Sequence, residues 1–230
     1  MNEHDEGLDF SMVIASVVHD MKNSLSTLMN AHSQWLMQLP KAQQSIPEHG
    51  AIEYEFAHLN GMLVQLLGLY KLGVNQLPLR PDYQELDDFI EALLASHEDV
   101  LRSHGIAASY EVEGFNKLGF FDRELICSVV ANIIINAIRY ARHALLISAH
   151  EEAGQWVLTI NDDGPGYPTQ MLEHQSDFVQ GINQRSGSTG LGLYFAARIA
   201  ERHERNGVRG HIELANGGKL GGAKFSIYLP

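Results

Sequence analysis

The sequence predicts an α+β protein, an antiparallel helical hairpin followed by an α/β sandwich with its helices on one face. Three observations carry that reading. Apolar residues recur at threes, fours and sevens through two stretches, Phe10 to Leu39 and Ile52 to Tyr70, as in long helices that pack through one seam. The segment "LGVNQLPLRP" then breaks the helical pattern with two prolines. Beyond it, β-like runs and helical runs follow one another in an order that suits a single mixed layer structure.

Along the chain, the first seam passes through Phe10, Ile14, Val17, Met21, Leu28 and Trp35. "LPKAQQSIPEHG" interrupts it, and a second seam follows through Ile52, Phe56, Leu59, Leu63, Leu66 and Tyr70. Two such helices on a short connection form an antiparallel hairpin. A lone hairpin buries one side of each helix, so a dimeric four-helix bundle is the expected way to close its core. The chain therefore divides into a helical segment at 1–75, a linker at 76–82 and a mixed domain at 83–230. In the last, "YQELDDFIEALLASHEDVLRSHG" reads as an amphipathic helix, and "IAASYEVEGF" and "KLGFF" as strands. Asp122 reads as the N-cap of a helix that runs to about Arg142. "ALLISAHE" and "WVLTIND" are strands, followed by a glycine-rich loop and a helix from about Gly190 to His203. "GHIELA" and "AKFSIYLP" close the chain as strands.

The formal charge is −12, from 16 basic and 28 acidic side chains. Such a chain is unsuited to nucleic acid, whose affinity rests on Lys and Arg displacing counterions, and equally unsuited to an anionic membrane surface. The single cysteine, Cys127, excludes an intramolecular disulfide and a multi-cysteine zinc site. No apolar run approaches the roughly 18 residues of a membrane span, and the acidic start "MNEHDEG" is not a signal n-region. A cytoplasmic protein is expected.

Three constellations carry chemistry. With Ile14 and Met21 at heptad position a and Val17 at d, His19 falls at f, farthest from the seam. Asn23 shares its face, and small Ala15 and Ser16 leave the imidazole open. The neighbouring Asp20 is a carboxylate that can orient or deprotonate an imidazole and make it a better nucleophile. In helix 122–142, Asn132, Asn136 and Arg139 form one polar stripe among apolar residues. Amides there are costly to bury without partners, and an amide oxygen is a hard ligand suited to Mg²⁺. Finally, "NDDGPGYP" follows a strand, and "GSTGLGL" opens a helix whose free N–H groups can hold phosphate. It lacks the Gly-Lys-Ser/Thr of a Walker loop and the third glycine of a Rossmann turn.

In their order and spacing these segments resemble the catalytic core of two-component sensor histidine kinases, over nearly the whole chain. "HDMKN" is similar to the phosphoacceptor H-box, "NIIINAIRYA" to the N-box, "DDGPG" to the G1 box, "STGLGL" to the G2 box and "GGAKFSIYLP" to the closing segment. The resemblance implies a dimerisation and histidine phosphoacceptor domain at 1–75 and a GHKL-type ATP-binding domain of Bergerat fold at 83–230. It implies that His19 accepts the phosphoryl group, Asp20 assists as base and Asn23 positions water for dephosphorylation of a partner. By the same resemblance Asn136 ligates Mg²⁺ beside Asn132, Arg139 and Tyr140 contact phosphate and adenine, and Asp162 accepts from the adenine amino group. Gly164, Gly166, Thr189, Gly190, Leu191 and Gly192 shape the nucleotide's phosphate contacts. ATP and Mg²⁺ are thus the expected cofactors. The expected partners are a second copy of the chain, a response-regulator receiver domain and a separate sensor or input protein, since only 18 residues precede His19.

The sequence departs from the family pattern at three places. Ser24 stands where a proline often follows the H-box, Ser188 replaces a common glycine, and the phenylalanine box is reduced to "DFVQG" around Phe178. Related ATPases carry a glutamate base at the position of Asn132; an amide cannot activate water as a base, which suits transfer to histidine. Two other functions fit the same motifs: a histidine phosphotransferase relay with a degenerate nucleotide domain, and an ATP-binding dimeric scaffold that sequesters a regulator.

Overall fold

A computed structural model describes residues 10–40, 43, 47–173, 175 and 190–230. Its N-terminal part is the expected hairpin of two long helices, α1 (Phe10–Gln38) and α2 (Pro47–Gly73). Asn75, in the left-handed region at φ 54°, ends α2, and the Gln76 N–H turns back to the Lys71 carbonyl at 2.7 Å.

The stripe by which α1 faces α2 differs from the expected seam. Ala15, Val18, Lys22, Leu25, Met29, His32 and Leu36 alternate at threes and fours and are the covered positions, with Val18 and Leu25 buried. The expected seam lies on the neighbouring stripe. Val17, Met21 and Leu28 are 52%, 53% and 58% exposed, and Ile14 and Trp35 are exposed with them. On α2 the seam residues Ile52, Leu59 and Leu66 are likewise exposed. Sequence periodicity finds the apolar residues; it does not separate a contact within one chain from a face left open by it.

The mixed domain follows as β1 (Asp82–Glu85), α3 (Leu86–Ser96), α4 (Glu98–Ser103), β2 (Ala107–Val112), β3 (Leu118–Phe121) and α5 (Arg123–Tyr140). Then come β4 (Ala144–Glu152), β5 (Gln155–Asp162), α6 (Thr169–Glu173), α7 (Leu191–Arg202), β6 (Glu204–Arg205), β7 (Val208–Arg209), β8 (His211–Asn216) and β9 (Ala223–Leu229). The segment expected as one helix from Tyr83 begins instead as a strand paired with β3, and its helix breaks at His97. Asp122 caps α5 as expected, accepting from the Leu125 N–H at 3.1 Å.

The main sheet has the order β2-β4-β5-β9-β8, with β2 parallel to β4 and the other pairs antiparallel. Its register aligns Ile147, Ile160, Phe225 and Leu214 in one buried row. The core forms between such rows and the apolar sides of α3, α5 and α7, from Phe89 and Ile90 through Ile126, Val130 and Ile134 to Phe195 and Ile199. Because strand side chains alternate, Leu158, Ile160 and Asp162 share a face. The acid at the end of β5 is thereby aimed at the helical layer, like the aliphatic residues before it.

The hairpin packs on the helical layer through α2, which meets α4, α5 and α7. Two of its glycines lie at the contact. A Cβ on Gly68 would come within 2.6 Å of the Phe195 ring, and one on Gly50 would overlap Ser103.

Candidate functional site

The residues singled out in the sequence gather in two places. The first is the exposed outer face of α1. There the His19 side chain is 62% exposed, with its Nδ1 3.5 Å from Asp20 Oδ1 and 3.3 Å from Asn23 Nδ2. Both neighbours address the same ring nitrogen, and they require opposite protonation states of it. A hydrogen on Nδ1 is donated to the Asp20 carboxylate and leaves Nε2 with its lone pair outward. A bare Nδ1 accepts from the Asn23 amide and places the hydrogen on Nε2. The carboxylate arrangement favours a nucleophilic imidazole; the amide arrangement favours one that donates. Ser26 and Thr27 bond back to the Lys22 and Asn23 carbonyls at 3.0 Å, so neither competes for the imidazole.

The second place lies where α5, the end of β5 and the start of α7 meet. Asn132 touches the start of α7: a Cβ on Gly192 would overlap its amide. One helical repeat on, Asn136 is half-buried, and another repeat on, Tyr140 presents its carbonyl to the turn after β5. A Cβ on Gly164 would stand 2.5 Å from that carbonyl, so only glycine permits the approach. The polar stripe of α5 therefore spans from the N-terminus of α7 to the glycine turn. The half-buried Leu191 is the first residue of α7, and Gly190 caps it in the left-handed region at φ 63°, leaving its first N–H groups available. Arg139 and Tyr140 are exposed at the rim, with the guanidinium 5.7 Å from the Tyr140 ring centroid. Thr189, Ser188 and Phe178 lie outside the described residues.

Asp162 is buried at the end of β5. Its Oδ1 accepts from the Gly164 N–H at 2.8 Å and the Ala223 N–H at 3.1 Å. These two bonds fix the plane of the carboxylate, and no described residue donates to Oδ2. Beside it Tyr167 is half-buried, and its phenol is held well above the usual tyrosine range by burial and by the negative charge of Asp162. The sequence reading missed this residue, although an aromatic directly after Gly-Pro-Gly is a visible signal. It also did not single out Asp163. Burial alone would raise that carboxyl, but the backbone N–H groups of His143, Arg142 and Ala144 outweigh it and hold the group below its ordinary value. The bonds from Arg142 and His143, at 2.8 and 3.0 Å, tie the end of α5 to the end of β5.

The residues gathered here fit the polar groups of a nucleotide. The Asn132 amide nitrogen is buried with no hydrogen-bond partner, an expensive state that a ligand's acceptor would relieve. The described residues hold no cluster of three His, Cys, Asp or Glu able to bind a metal by themselves.

α1 packs principally on α2, and α2 stands between it and the helices of the pocket. His19, exposed on the flank of α1 beside the covered Ala15 and Lys22, is thus not brought to Asn136 or Asp162 within this arrangement. Among the described residues no helix is long and apolar enough to cross a membrane.

A helical hairpin joined to an α/β layer with this pocket defines the class of GHKL-type ATP-binding proteins. Comparison gives the particular likeness: residues 121–230 match the histidine kinase-, DNA gyrase B- and HSP90-like ATPases, and the chain as a whole is similar to sensor histidine kinases. It is 27% identical over 192 residues to the sensor histidine kinase YkoH of Bacillus subtilis, covering 80% of this chain and 41% of that protein. It is 35% identical over 101 residues to the sensor histidine kinase GtrS of Pseudomonas aeruginosa, covering 44% of this chain and 20% of that one. The chain thus spans less than half the length of either relative. Its fold is similar to the histidine kinase AdeS of Acinetobacter baumannii, with TM-score 0.58, 22% identity and coverage of 92% and 96%. It is also similar to full-length ShkA in complex with AMPPNP, with TM-score 0.65, 17% identity and coverage of 96% and 46%.

Proposed function

We propose that the chain is an ATP-dependent protein histidine kinase that phosphorylates itself on His19 and passes the phosphoryl group to an aspartate of a response-regulator receiver domain. The observation that carries this is the presence in one chain of an exposed histidine with both an acid and an amide at its Nδ1, and of a nucleotide pocket. Asp20 holds the hydrogen on Nδ1, so the Nε2 lone pair attacks the γ-phosphorus while the bond to the ADP oxygen breaks. The product is a phosphoramidate on His19, and ADP leaves. Asn132 and the N-terminus of α7 hold the phosphates, and Asp162 accepts from the adenine amino group through Oδ2. Mg²⁺ at Asn136 would offset triphosphate charge. Asn23, donating to the ring, is placed to orient water when the receiver domain's phosphoaspartate is hydrolysed.

Because α2 separates His19 from the pocket, transfer needs the ATP-binding domain to leave α2, or the domain of a second copy to reach His19. The chain acts as a homodimer through its open apolar stripes, with input supplied by a separate sensor protein or region and with the receiver domain docked on the outer face of α1. This places the working core in the cytoplasm. Incubation with γ-labelled ATP and Mg²⁺ tests the proposal. Label should appear, survive alkali and be lost in acid. His19→Gln should abolish it while leaving ATP binding and dimerisation intact, because an exposed side chain contributes little to the core. Asn136→Ala should abolish it by removing the metal ligand. Labelling that persists in His19→Gln overturns the assignment. An unaltered chain that never labels, yet takes phosphate from a phosphorylated receiver domain, is a relay protein.

A further inference from the structure

The turn that carries the pocket floor is fastened to the sheet by two side-chain amides that no motif of the sequence marks. Among the described strands β8 lies at the edge, bonded to β9 on one side only, so its other side offers backbone groups that no described strand pairs. Gln175 fills that role at Leu214. Its Nε2 donates to the Leu214 carbonyl at 2.8 Å, and its Oε1 accepts from the Leu214 N–H at 3.1 Å. The last residue of β8 makes the reciprocal contact. Asn216 Oδ1 accepts from the Tyr167 N–H at 2.7 Å, and Asn216 Nδ2 donates to the Tyr167 carbonyl at 2.9 Å. In each case a primary amide copies a peptide unit, presenting one donor and one acceptor to both backbone groups of one residue. The two clasps bracket the segment from Tyr167 to Gln175.

The Asn216 clasp bears directly on the pocket. Gly166 takes φ 81°, and a Cβ there would come within 2.6 Å of Asn216 Oδ1. The glycine is thus required both by its conformation and by the amide seated against it. Gly164 is bonded to Asp162 Oδ1, and Tyr167 lies beside the same carboxylate. Any shift of the 164–167 turn therefore turns Asp162.

We propose that Asn216 and Gln175 are positioning residues for the nucleotide, holding the 164–175 segment to the open edge of β8 and so fixing the direction in which Asp162 accepts from adenine. The proposal rests on the ATP-binding reading of the pocket and deepens it. Neither amide touches the reacting atoms. Losing Asn216 releases the turn without removing Asp162, so the effect falls on base recognition and not on phosphoryl transfer from bound ATP.

The test is calorimetric titration of the full chain with ATP and with GTP, alongside autophosphorylation kinetics. Asn216→Ala should weaken ATP binding about tenfold, the scale of two lost hydrogen bonds, with GTP binding little changed and the ATP preference narrowed. KM for ATP should rise while kcat at saturation holds. Asn216→Asp keeps the acceptor for the Tyr167 N–H and should lie between. Gln175→Ala should act in the same direction, and the double variant should lose less than the product of the two, because both clasps restrain one segment. Should Asn216→Ala not fold, Gln175→Ala carries the same expectations. ATP affinity and ATP preference within about twofold of the unaltered chain in a folded variant overturn the inference, as does a kcat loss that merely tracks melting temperature. Failure of the unaltered chain itself to bind ATP overturns the functional reading, and the inference with it.

Discussion

At Asp122 three distant parts of the chain converge on one residue. Its Oδ1 caps α5, its Oδ2 accepts from the Arg80 N–H at 2.8 Å, and its own N–H donates to His203 Nε2 at 3.0 Å. His203 Nδ1 must then donate to the Ile199 carbonyl, 2.9 Å away, so the buried ring is neutral with a defined tautomer. Burial lowers its pKa from the ordinary 6.5, against smaller opposing contributions from the Ile199 carbonyl and the Asp122 charge. The unfolded chain therefore takes up a proton below about pH 6.5 that the folded one refuses. Stability is full above that pH and falls as pH drops toward the depressed folded value, by at most about 1.4 kcal/mol per pH unit for this group. His97, also lowered by burial, adds a slope of the same sign. Urea unfolding between pH 7.5 and 5.5 should show the decline, and His203→Asn should flatten it; an unchanged slope would remove His203 as its source. A second expectation at this scale concerns Asp162→Asn. Oδ1 can still accept from Gly164 and Ala223, so the fold should hold. In the proposed ATP complex, replacing the carboxylate by an amide should remove a charge-assisted bond to adenine, costing on the order of 1.5–3 kcal/mol of ATP affinity, which titration calorimetry reads directly.

At the scale of elements, α2 shows how glycine placement tells two interfaces apart. Gly50, Tyr54, Ala57, Gly61, Gln65, Gly68 and Leu72 recur at threes and fours, a stripe of mostly small residues that lets other helices approach. Gly68 lies against Phe195, which is buried, whereas a Cβ on Gly61 would reach only the Gln65 amide at 4.0 Å. Alanine in a helix gains about 1 kcal/mol over glycine, while overpacking a fixed ring costs about 1–3 kcal/mol. Gly61→Ala should therefore raise the unfolding midpoint and Gly68→Ala should lower it or leave it unchanged. Equal stabilisation by both would mean that α2 does not press on α7 in solution. The sequence reveals the elements built from local signals: the cap at Asp122, strands β4, β5, β8 and β9, and the exposed face around His19. β1 stays hidden because its pairing with β3 arises between residues far apart, and its sequence reads as the start of the following helix. The short β6–β7 hairpin carries no alternating pattern. The amide clasps are invisible for the same reason, since Asn216 and Tyr167 are 49 residues apart and Gln175 and Leu214 are 39 apart. Conversely, the pocket motifs are legible because glycine turns and buried amides are costly enough to need a cause.

For the whole molecule, the unsettled quantity is the apolar face formed by α1 and α2 together. α1 spends its covered stripe on α2, and α2 spends its small-residue stripe on α4, α5 and α7. What remains is Ile14, Val17, Met21, Leu28 and Trp35 on one helix, with Ile52, Leu59 and Leu66 on the other, all exposed. Side chains of this kind each gain about 1.5–3 kcal/mol on going from fully exposed to fully buried. These are roughly half exposed, so covering the row recovers about half of that for each residue, a sum comparable with the cost of association. A second copy of the hairpin would supply the same row by two-fold symmetry, and residues of the two hairpins would then close a four-helix core. His19 keeps its accessibility in this assembly because it sits on the far side of α1 from the open stripe. The full chain is therefore expected to be a dimer at micromolar concentration by light scattering, and a fragment ending near Gly73 to dimerise as well. Leu28→Glu with Leu59→Glu places charges in the shared core and should yield monomers. Those monomers should still bind ATP, since neither residue touches the pocket. If autophosphorylation requires the nucleotide domain of one copy to reach His19 of the other, the monomers should bind ATP without labelling. A label that persists at full rate in monomers assigns the transfer to a single chain whose ATP-binding domain swings off α2, and a monomeric unaltered chain defeats the bundle altogether.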